Sequence, residues 1–162
     1  MLGQDTDSPT LAPMLDVPSH SALVHLSQPE SGWLPVVFQA GTFKLDFYAS
    51  NVPTNPLDSL CEVLAVVPTG GSATVMWHLE PAIYWFAFEN KMGEVTLEIS
   101  EASAYNKPRT CLLRLTGSAR TILLPFYKAL TAFAGHKFSE AQWPVLTPGR
   151  LKPIGQLLRS QH

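Results

Sequence analysis

The clearest pattern in the chain is an alternation of apolar and polar residues between positions 72 and 100. Segments 72–80, 83–89 and 94–100 each place an apolar side chain at every second position over most of their length. Residues two apart in a strand point to the same face, so each segment predicts a strand with one apolar face. Short turns at Pro81-Ala82 and at residues 90–93 connect the segments, which predicts an antiparallel meander.

A meander with these turns would pair Trp77 with Phe86, and Phe86 with Leu97. The register collects an apolar face made of Val75, Trp77, Leu79, Tyr84, Phe86, Phe88, Val95, Leu97 and Ile99. A shift by one residue would scatter this set over both faces, so the agreement supports the assignment of the faces. A fourth strand is predicted at residues 110–116, with Cys111, Leu113 and Leu115 on one side.

A first helix is predicted to begin after Asn55. Asn55 can accept a hydrogen bond from the first turn, and Pro56 suits the first helical position. Apolar residues then recur at spacings of three and four, and Pro68 with Gly70 ends the stripe. This pattern predicts an amphipathic helix of about twelve residues.

A second helix is predicted from Ser118, a capping residue, to Ala134, where Gly135 ends it. Pro125 is expected to delay its start or kink it. Segments 34–39 and 42–49 predict two strands, residues 22–26 one short strand, and residues 154–159 a last helical turn. The sequence therefore predicts an α+β fold, an antiparallel sheet of four to six strands with two main helices packed on one face, the aromatic one.

Proline and serine are frequent near the beginning of the chain. We expect residues 1–32 to form a proline-rich, partly disordered segment and residues 33–162 a single α+β domain. The first residues lack the basic and apolar regions of a signal peptide. No apolar run approaches the roughly 20 residues that cross a bilayer, so we expect a cytoplasmic protein without membrane contact.

The formal net charge of −2 hides an asymmetry between the two parts of the chain. Residues 1–103 contain twelve acidic and two basic residues, and residues 104–162 contain nine basic residues and one acidic residue. These charges either neutralise each other across one fold or form two surfaces of opposite sign. The basic part has no dense run of lysine and arginine, so we do not expect nucleic acid as a partner.

The same register defines the opposite face of the sheet, which has an apolar middle and carboxylates around it. We predict that this face binds a partner through Met76, His78, Glu80, Ile83, Trp85, Glu89, Glu94 and Glu98. Tryptophan and methionine are enriched at interface cores, and acidic residues around them suit a basic protein. Alternatively, the terminal segments with Trp33 and Trp143 fold over this face and bury it.

No catalytic constellation is recognisable. His78 and Glu80 share a strand face and could form an acid–base pair or bind a metal, but no third ligand follows at a typical spacing. Cys61 and Cys111 have no motif around them and are expected to be small apolar residues. We therefore expect no catalytic residues, metal or cofactor; a homo-oligomer is left open. The alternative is a small-ligand domain or unrecognised enzyme with a cavity between sheet and helices, lined by Tyr84, Phe86 and Phe88.

The order of these features resembles small uncharacterised bacterial proteins, some of which look like immunity proteins of polymorphic toxin systems. The resemblance covers about residues 42–134 and rests on Asn55-Pro56-Leu57-Asp58-Ser59-Leu60, Val75-Met76-Trp77-His78-Leu79-Glu80-Pro81 and Tyr84-Trp85-Phe86. It implies a cytoplasmic inhibitor that neutralises a cognate toxin by direct binding. The acidic residues of the predicted face suit a basic toxin domain as that partner. The long proline-rich N-terminal segment and Pro125 depart from the resemblance, which identifies no interface residues.

Overall fold

The computed structural model describes residues 15–16 and 22–161 of the chain. Its strands are β1 (Leu15–Asp16), β2 (Leu23–Leu26), β3 (Trp33–Ala40), β4 (Phe43–Ser50), β5 (Ser72–His78), β6 (Ile83–Lys91), β7 (Glu94–Ala102) and β8 (Thr110–Ser118). Its α-helices are α1 (Pro56–Val66), α2 (Ala119–Ala134) and α3 (Pro148–Arg159). The strands form one sheet in the order β1-β8-β7-β6-β5-β4-β3-β2.

The predicted α+β class is confirmed, and the sheet is larger than expected. Strands β2 to β8 pair antiparallel with their neighbours, and the two-residue β1 runs parallel to β8. The short strand expected at residues 22–26 is confirmed as β2, which pairs with β3. The expected domain boundary at residue 33 therefore lies between two paired strands, and the prediction for residues 1–14 and 17–21 falls outside the described residues.

Helix α1 follows from its local sequence. The Asn55 side-chain oxygen accepts a hydrogen bond from the Leu57 backbone N–H at 3.0 Å, which satisfies one of the unpaired donors of the first turn. The helix continues into a 3₁₀ turn at Val67–Thr69 and ends at Gly70, whose φ of 108° is easily reached only by glycine. The prediction of this helix is confirmed at both ends.

Helix α2 begins at Ala119, so Pro125 does not delay its start. The Ser118 hydroxyl accepts a hydrogen bond from the Thr121 backbone N–H at 3.0 Å, as predicted from the capping residue. The sequence predicted a single helical turn near the end of the chain. Helix α3 is longer and spans twelve residues from Pro148.

The predicted strand register is wrong by two residues, although the predicted faces are confirmed. Trp77 pairs with Tyr84, and Phe88 pairs with Leu97. The connection between β5 and β6 is a four-residue loop at positions 79–82, and that between β6 and β7 is a two-residue turn at Met92-Gly93. Because the side-chain period of a strand is two, these shifts leave every residue on its predicted face.

The sheet curls around α2. Phe38 of β3 contacts Phe86 of β6, with ring centroids 5.6 Å apart, and also stacks on Phe126 of α2 at 6.0 Å. Strands β2 and β8 lie far apart in the sheet order, yet both contact α2. Among the described residues, β4 and β5 share a single registered pair, Ser50 and His78. The main core therefore lies inside the curl, and the opposite, outer face of the sheet points away from the helices.

Candidate functional site

The outer face is defined by a row of residues that crosses five strands. Trp33, Ser50, His78, Ile83 and Ala102 are successive register partners from β3 to β7. Residues directly opposite each other in antiparallel strands project to the same side of the sheet. This row lies at the end of the sheet that contains the last residue of β4 and the first residue of β6. The predicted residues His78 and Ile83 lie side by side in it.

A small apolar cluster, separate from the main core, occupies the outer face next to this row. Ile83 and Trp85 are each 3% exposed and Ala102 is 5% exposed, and Met76 packs against them. The Arg109 guanidinium lies 4.0 Å from the centroid of the Trp85 ring, a cation–π contact. Trp85, expected as an exposed anchor, is therefore buried, because β7 and the β7–β8 connection supply its cover.

The terminal segment with Trp143 does not cover this face. Trp143 is fully buried in the main core, on the helical side of the sheet. Trp33 is half-buried and belongs to β3 itself, at one end of the row on the outer face. The alternative that these two tryptophans cover the Trp85 side is therefore wrong, because Trp143 packs in the main core and Trp33 is held in the β3–β4 ladder.

A groove of about 490 Å³ opens beside the apolar cluster, and we call it the outer-face groove. It is lined by Val52, Pro53, Thr54, Met76, His78, Glu80, Pro81, Ile83 and Tyr105. Val52 is 59% exposed and Tyr105 is 73% exposed at its mouth. The groove thus brings together four of the predicted residues, Met76, His78, Glu80 and Ile83. Two loops, at residues 52–54 and at Tyr105, complete its lining.

His78 is a titratable group in the lining of this groove. Partial burial lowers the pKa of His78 from its usual 6.5, and the neighbouring Glu80 acts in the opposite direction. The imidazole is therefore neutral at pH 7 and can both donate and accept a hydrogen bond. Glu80 has a φ of 56°, an uncommon conformation for a residue with a side chain, and it is exposed.

The remaining predicted carboxylates do not line the groove. Glu89 lies 3.8 Å from Lys91, and Glu98 lies 3.1 Å from Arg114, so both have a basic neighbour on the outer face. Glu94 follows the Met92-Gly93 turn at the opposite end of β7. The predicted partner-binding set therefore divides into four residues in the groove, the buried Trp85, and three carboxylates outside the groove.

Cys111 lies on the outer face, and the prediction that it shares a side with Leu113 and Leu115 is wrong. A bulge shifts the β7–β8 register, so that Cys111 pairs with Ser100 while Leu113 pairs with Ile99. The extra residue turns the Cys111 sulfur toward Glu98, 3.6 Å from its carboxylate oxygen. Burial and the nearby Glu98 carboxylate raise the pKa of Cys111.

Sequence reasoning missed the loop residues of the groove. Val52, Pro53 and Thr54 read as a connection before α1, and Tyr105 reads as part of a polar turn. Neither segment carries a sequence signal that would have identified it as part of a groove.

The aromatic residues proposed as walls of an inner cavity pack against other rings. Phe88 lies 5.3 Å from Phe126, Phe86 lies 6.2 Å from the same ring, and Tyr84 lies 4.9 Å from Phe47. Phe86 and Phe88 are each 1% exposed. These contacts are those of a close-packed core.

No family model, curated protein or solved structure matches this chain. Across residues 15–16 and 22–161, no helix is both long and apolar enough to span a membrane. The same residues contain no group of three or more His, Cys, Asp or Glu side chains placed to hold a metal ion.

Proposed function

We propose that this chain is a non-catalytic protein-binding domain and that the outer-face groove receives its partner. The observation that carries the proposal is the exposure of Val52 and Tyr105 at the mouth of a groove with Met76 and Ile83 below them. Exposed apolar side chains gathered around a concavity and bordered by polar groups are typical of protein interaction sites.

The floor of the groove supports such a role because it is held in place before binding. Ile83 and Trp85 are buried in the outer cluster, and Arg109 lies over Trp85. A preformed floor reduces the entropy lost on binding, so more of the contact energy contributes to affinity. Trp85 then acts beneath the contact surface and supports it from below.

The charge of the groove indicates the kind of partner. Glu80 is the carboxylate in the lining, and His78 beside it is neutral at pH 7. A partner that inserts an apolar side chain and places a lysine or arginine next to Glu80 would satisfy both features. This is a narrower version of the basic partner that the sequence predicted, because it depends on one carboxylate.

Neutralisation of a bacterial toxin is the more specific form of this proposal. It rests on the resemblance of the sequence to immunity proteins and is a prediction about the identity of the partner. Co-expression with a toxin encoded beside this gene tests it, and protection of the cells is the expected result. Toxicity that persists although both proteins are produced would contradict the immunity role and leave the binding groove to be tested separately.

Site-specific photo-crosslinking in the native host tests the groove directly. A photoreactive phenylalanine analogue is placed at Tyr105, at the mouth of the groove, or at Met92, a fully exposed residue in the β6–β7 turn. We expect one heterologous protein to be crosslinked from position 105 and not from position 92. Equal products from both positions, or crosslinks only to a second copy of the chain, would contradict the proposal.

A charge substitution provides the complementary measurement. With the purified partner, Val52→Asp should weaken binding by at least about tenfold, because a carboxylate at the mouth opposes insertion of an apolar group. Met92→Asp introduces the same charge at a fully exposed position outside the groove and serves as the control. Thermal unfolding of both variants checks that the fold is retained, and unchanged affinity of a folded Val52→Asp variant would count against the groove.

A further inference from the structure

The helical layer carries a second surface whose charge is opposite to that of the acidic groups on the sheet. Helices α2 and α3 contain the basic residues Arg120, Lys128, Arg150, Lys152 and Arg159 and no acidic residue. Arg150 forms an ion pair with Asp58 of α1. The other four are exposed and form no ion pair with any described residue.

Few of the described charges in the acidic and basic parts of the chain pair with each other. Within the described ranges, ion pairs between the acidic and the basic part of the chain are limited to Asp58 with Arg150 and Glu98 with Arg114. The other charges of the two parts form no ion pairs with each other within these ranges. Unpaired exposed charges of one sign on one side of a molecule attract a partner of the opposite sign.

A groove of about 360 Å³ lies between α2 and α3, and we call it the α2–α3 groove. Its lining consists of Tyr127, Thr131, Ala134, Gly135, Pro148, Leu151, Lys152 and Arg159. Lys152 and Arg159 are seven residues apart, two turns along the same side of α3. The groove is thus lined by apolar atoms and by the hydroxyl groups of Tyr127 and Thr131. Lys152 and Arg159 each place a cation beside it, two helical turns apart.

The groove is fixed by the contact of Tyr127 with α3. A Cβ atom at Gly155 would lie 2.8 Å from the Tyr127 ring carbon that carries the hydroxyl, so only glycine leaves room for this ring. The Thr131 hydroxyl donates a hydrogen bond to the Tyr127 backbone carbonyl at 3.0 Å. Because the walls are already packed against each other, a ligand does not have to order them.

We propose that the α2–α3 groove binds an acidic protein segment that inserts an apolar side chain between carboxylates paired with Lys152 and Arg159. The occupant follows from charge complementarity, since neither helix carries an acidic residue. The apolar lining residues Ala134, Pro148 and Leu151 distinguish this occupant from a polyphosphate chain. The site is independent of the outer-face groove, because it lies in the helical layer and requires a partner of the opposite charge.

Fluorescence anisotropy with a labelled peptide of repeating Glu-Glu-Leu tests the proposal. We expect saturable binding that weakens with added salt and is at least about tenfold tighter than binding of a matched Glu-Glu-Ser peptide. Lys152→Glu combined with Arg159→Glu should reduce the affinity by at least about tenfold. The control, Lys44→Glu combined with Lys107→Glu, reverses two exposed charges outside the groove and should leave the affinity within about twofold.

A second variant separates the shape of the groove from its charge. Thr131→Trp fills the groove from an exposed position of α2 without changing the net charge, and it should also weaken binding of the Glu-Glu-Leu peptide. Thermal unfolding confirms that each variant is folded. The proposal is overturned by absent binding, by equal loss in the two charge-reversal variants, or by equal affinity for the serine peptide. Tighter binding of oligo-dT or phosphatidylserine vesicles than of Glu-Glu-Leu overturns it as well, in favour of a polyanion or a membrane surface.

Discussion

The indole of Trp85 packs against Ile83 and Ala102 on the side of the sheet that faces away from the helices. Trp85 alternates along β6 with Tyr84 and Phe86 of the opposite face, so the pattern predicted the face of Trp85 but not its degree of burial. Burial came from residues distant in sequence, with Arg109 lying over the ring. The sequence therefore located Trp85 on the correct face and could not show that the β7–β8 connection closes over it.

The burial of Trp85 leads to a prediction about stability. Trp85→Ala should lower the free energy of unfolding by about 3–5 kcal/mol, because it removes a large buried side chain and leaves a cavity. Tyr48→Ala, on the same face but 62% exposed, should change it by less than about 0.5 kcal/mol. Guanidinium chloride denaturation measures both changes. A small effect of Trp85→Ala would mean that the outer cluster does not contribute to folding.

At the scale of single elements, α3 shows tertiary packing overriding local signals. Pro153, Gly149 and Gly155 read as breaks in a helix, so the sequence predicted only its last turn. In the structure, Leu151, Ile154 and Leu158 bury one face of a helix that begins at Pro148. This burial offsets the poor helix propensity, and Gly155 is needed because the ring of Tyr127 occupies the space beside it.

Two glycine substitutions in α3 should therefore have effects of opposite sign. Gly155→Ala should destabilise the protein by about 1–3 kcal/mol, since its methyl group would overlap the Tyr127 ring. Gly149→Ala, where an added Cβ meets nothing within 4 Å, should stabilise the protein by about 0.4–1 kcal/mol through a less flexible unfolded chain. Thermal and chemical unfolding of both variants provide the comparison. Equal effects would show that Tyr127 moves aside without cost.

The meander of β5 to β7 shows which properties of a sheet a pattern can determine. Alternation fixed the two faces correctly because side chains repeat every two residues along a strand. The register depended on the lengths of the turns, and each turn differed by two residues from the expected length. Asn90 explains part of this difference, because its side-chain oxygen accepts a hydrogen bond from the Gly93 N–H at 2.9 Å and thereby closes a tighter turn.

At the scale of the whole molecule, the sheet has two parts, strands β2 to β4 and strands β5 to β8. Their shared core joins them more than the hydrogen-bonded ladder between β4 and β5 does. The described strands β4 and β5 share one registered pair, whereas Phe38 of β3 contacts Phe86 and Phe126. Helix α2 contacts both β2 and β8, so it links the two ends of the curled sheet. Neither part could bury its aromatic face without the other.

This arrangement predicts a single cooperative unfolding transition for the whole domain. Far-UV circular dichroism and tryptophan fluorescence should give coincident midpoints, because Trp77 and Trp143 lie in the same core as the strands around Phe38. Phe38→Ala should lower that common midpoint and the free energy of unfolding by about 3–5 kcal/mol. Two separated transitions would show that β2 to β4 fold independently of the rest.

The sequence by itself determined the α+β class, the capped starts of α1 and α2, and the faces of the central strands. These features depend on interactions between residues close in sequence, namely hydrogen bonds in the first turn of a helix and the alternation of side chains along a strand. The tertiary structure alone decided the burial of Trp85, the position of Cys111, the length of α3 and the residues that line both grooves. Each of these depends on contacts between distant segments, where packing and the length of a turn decide the outcome, and local sequence does not encode either.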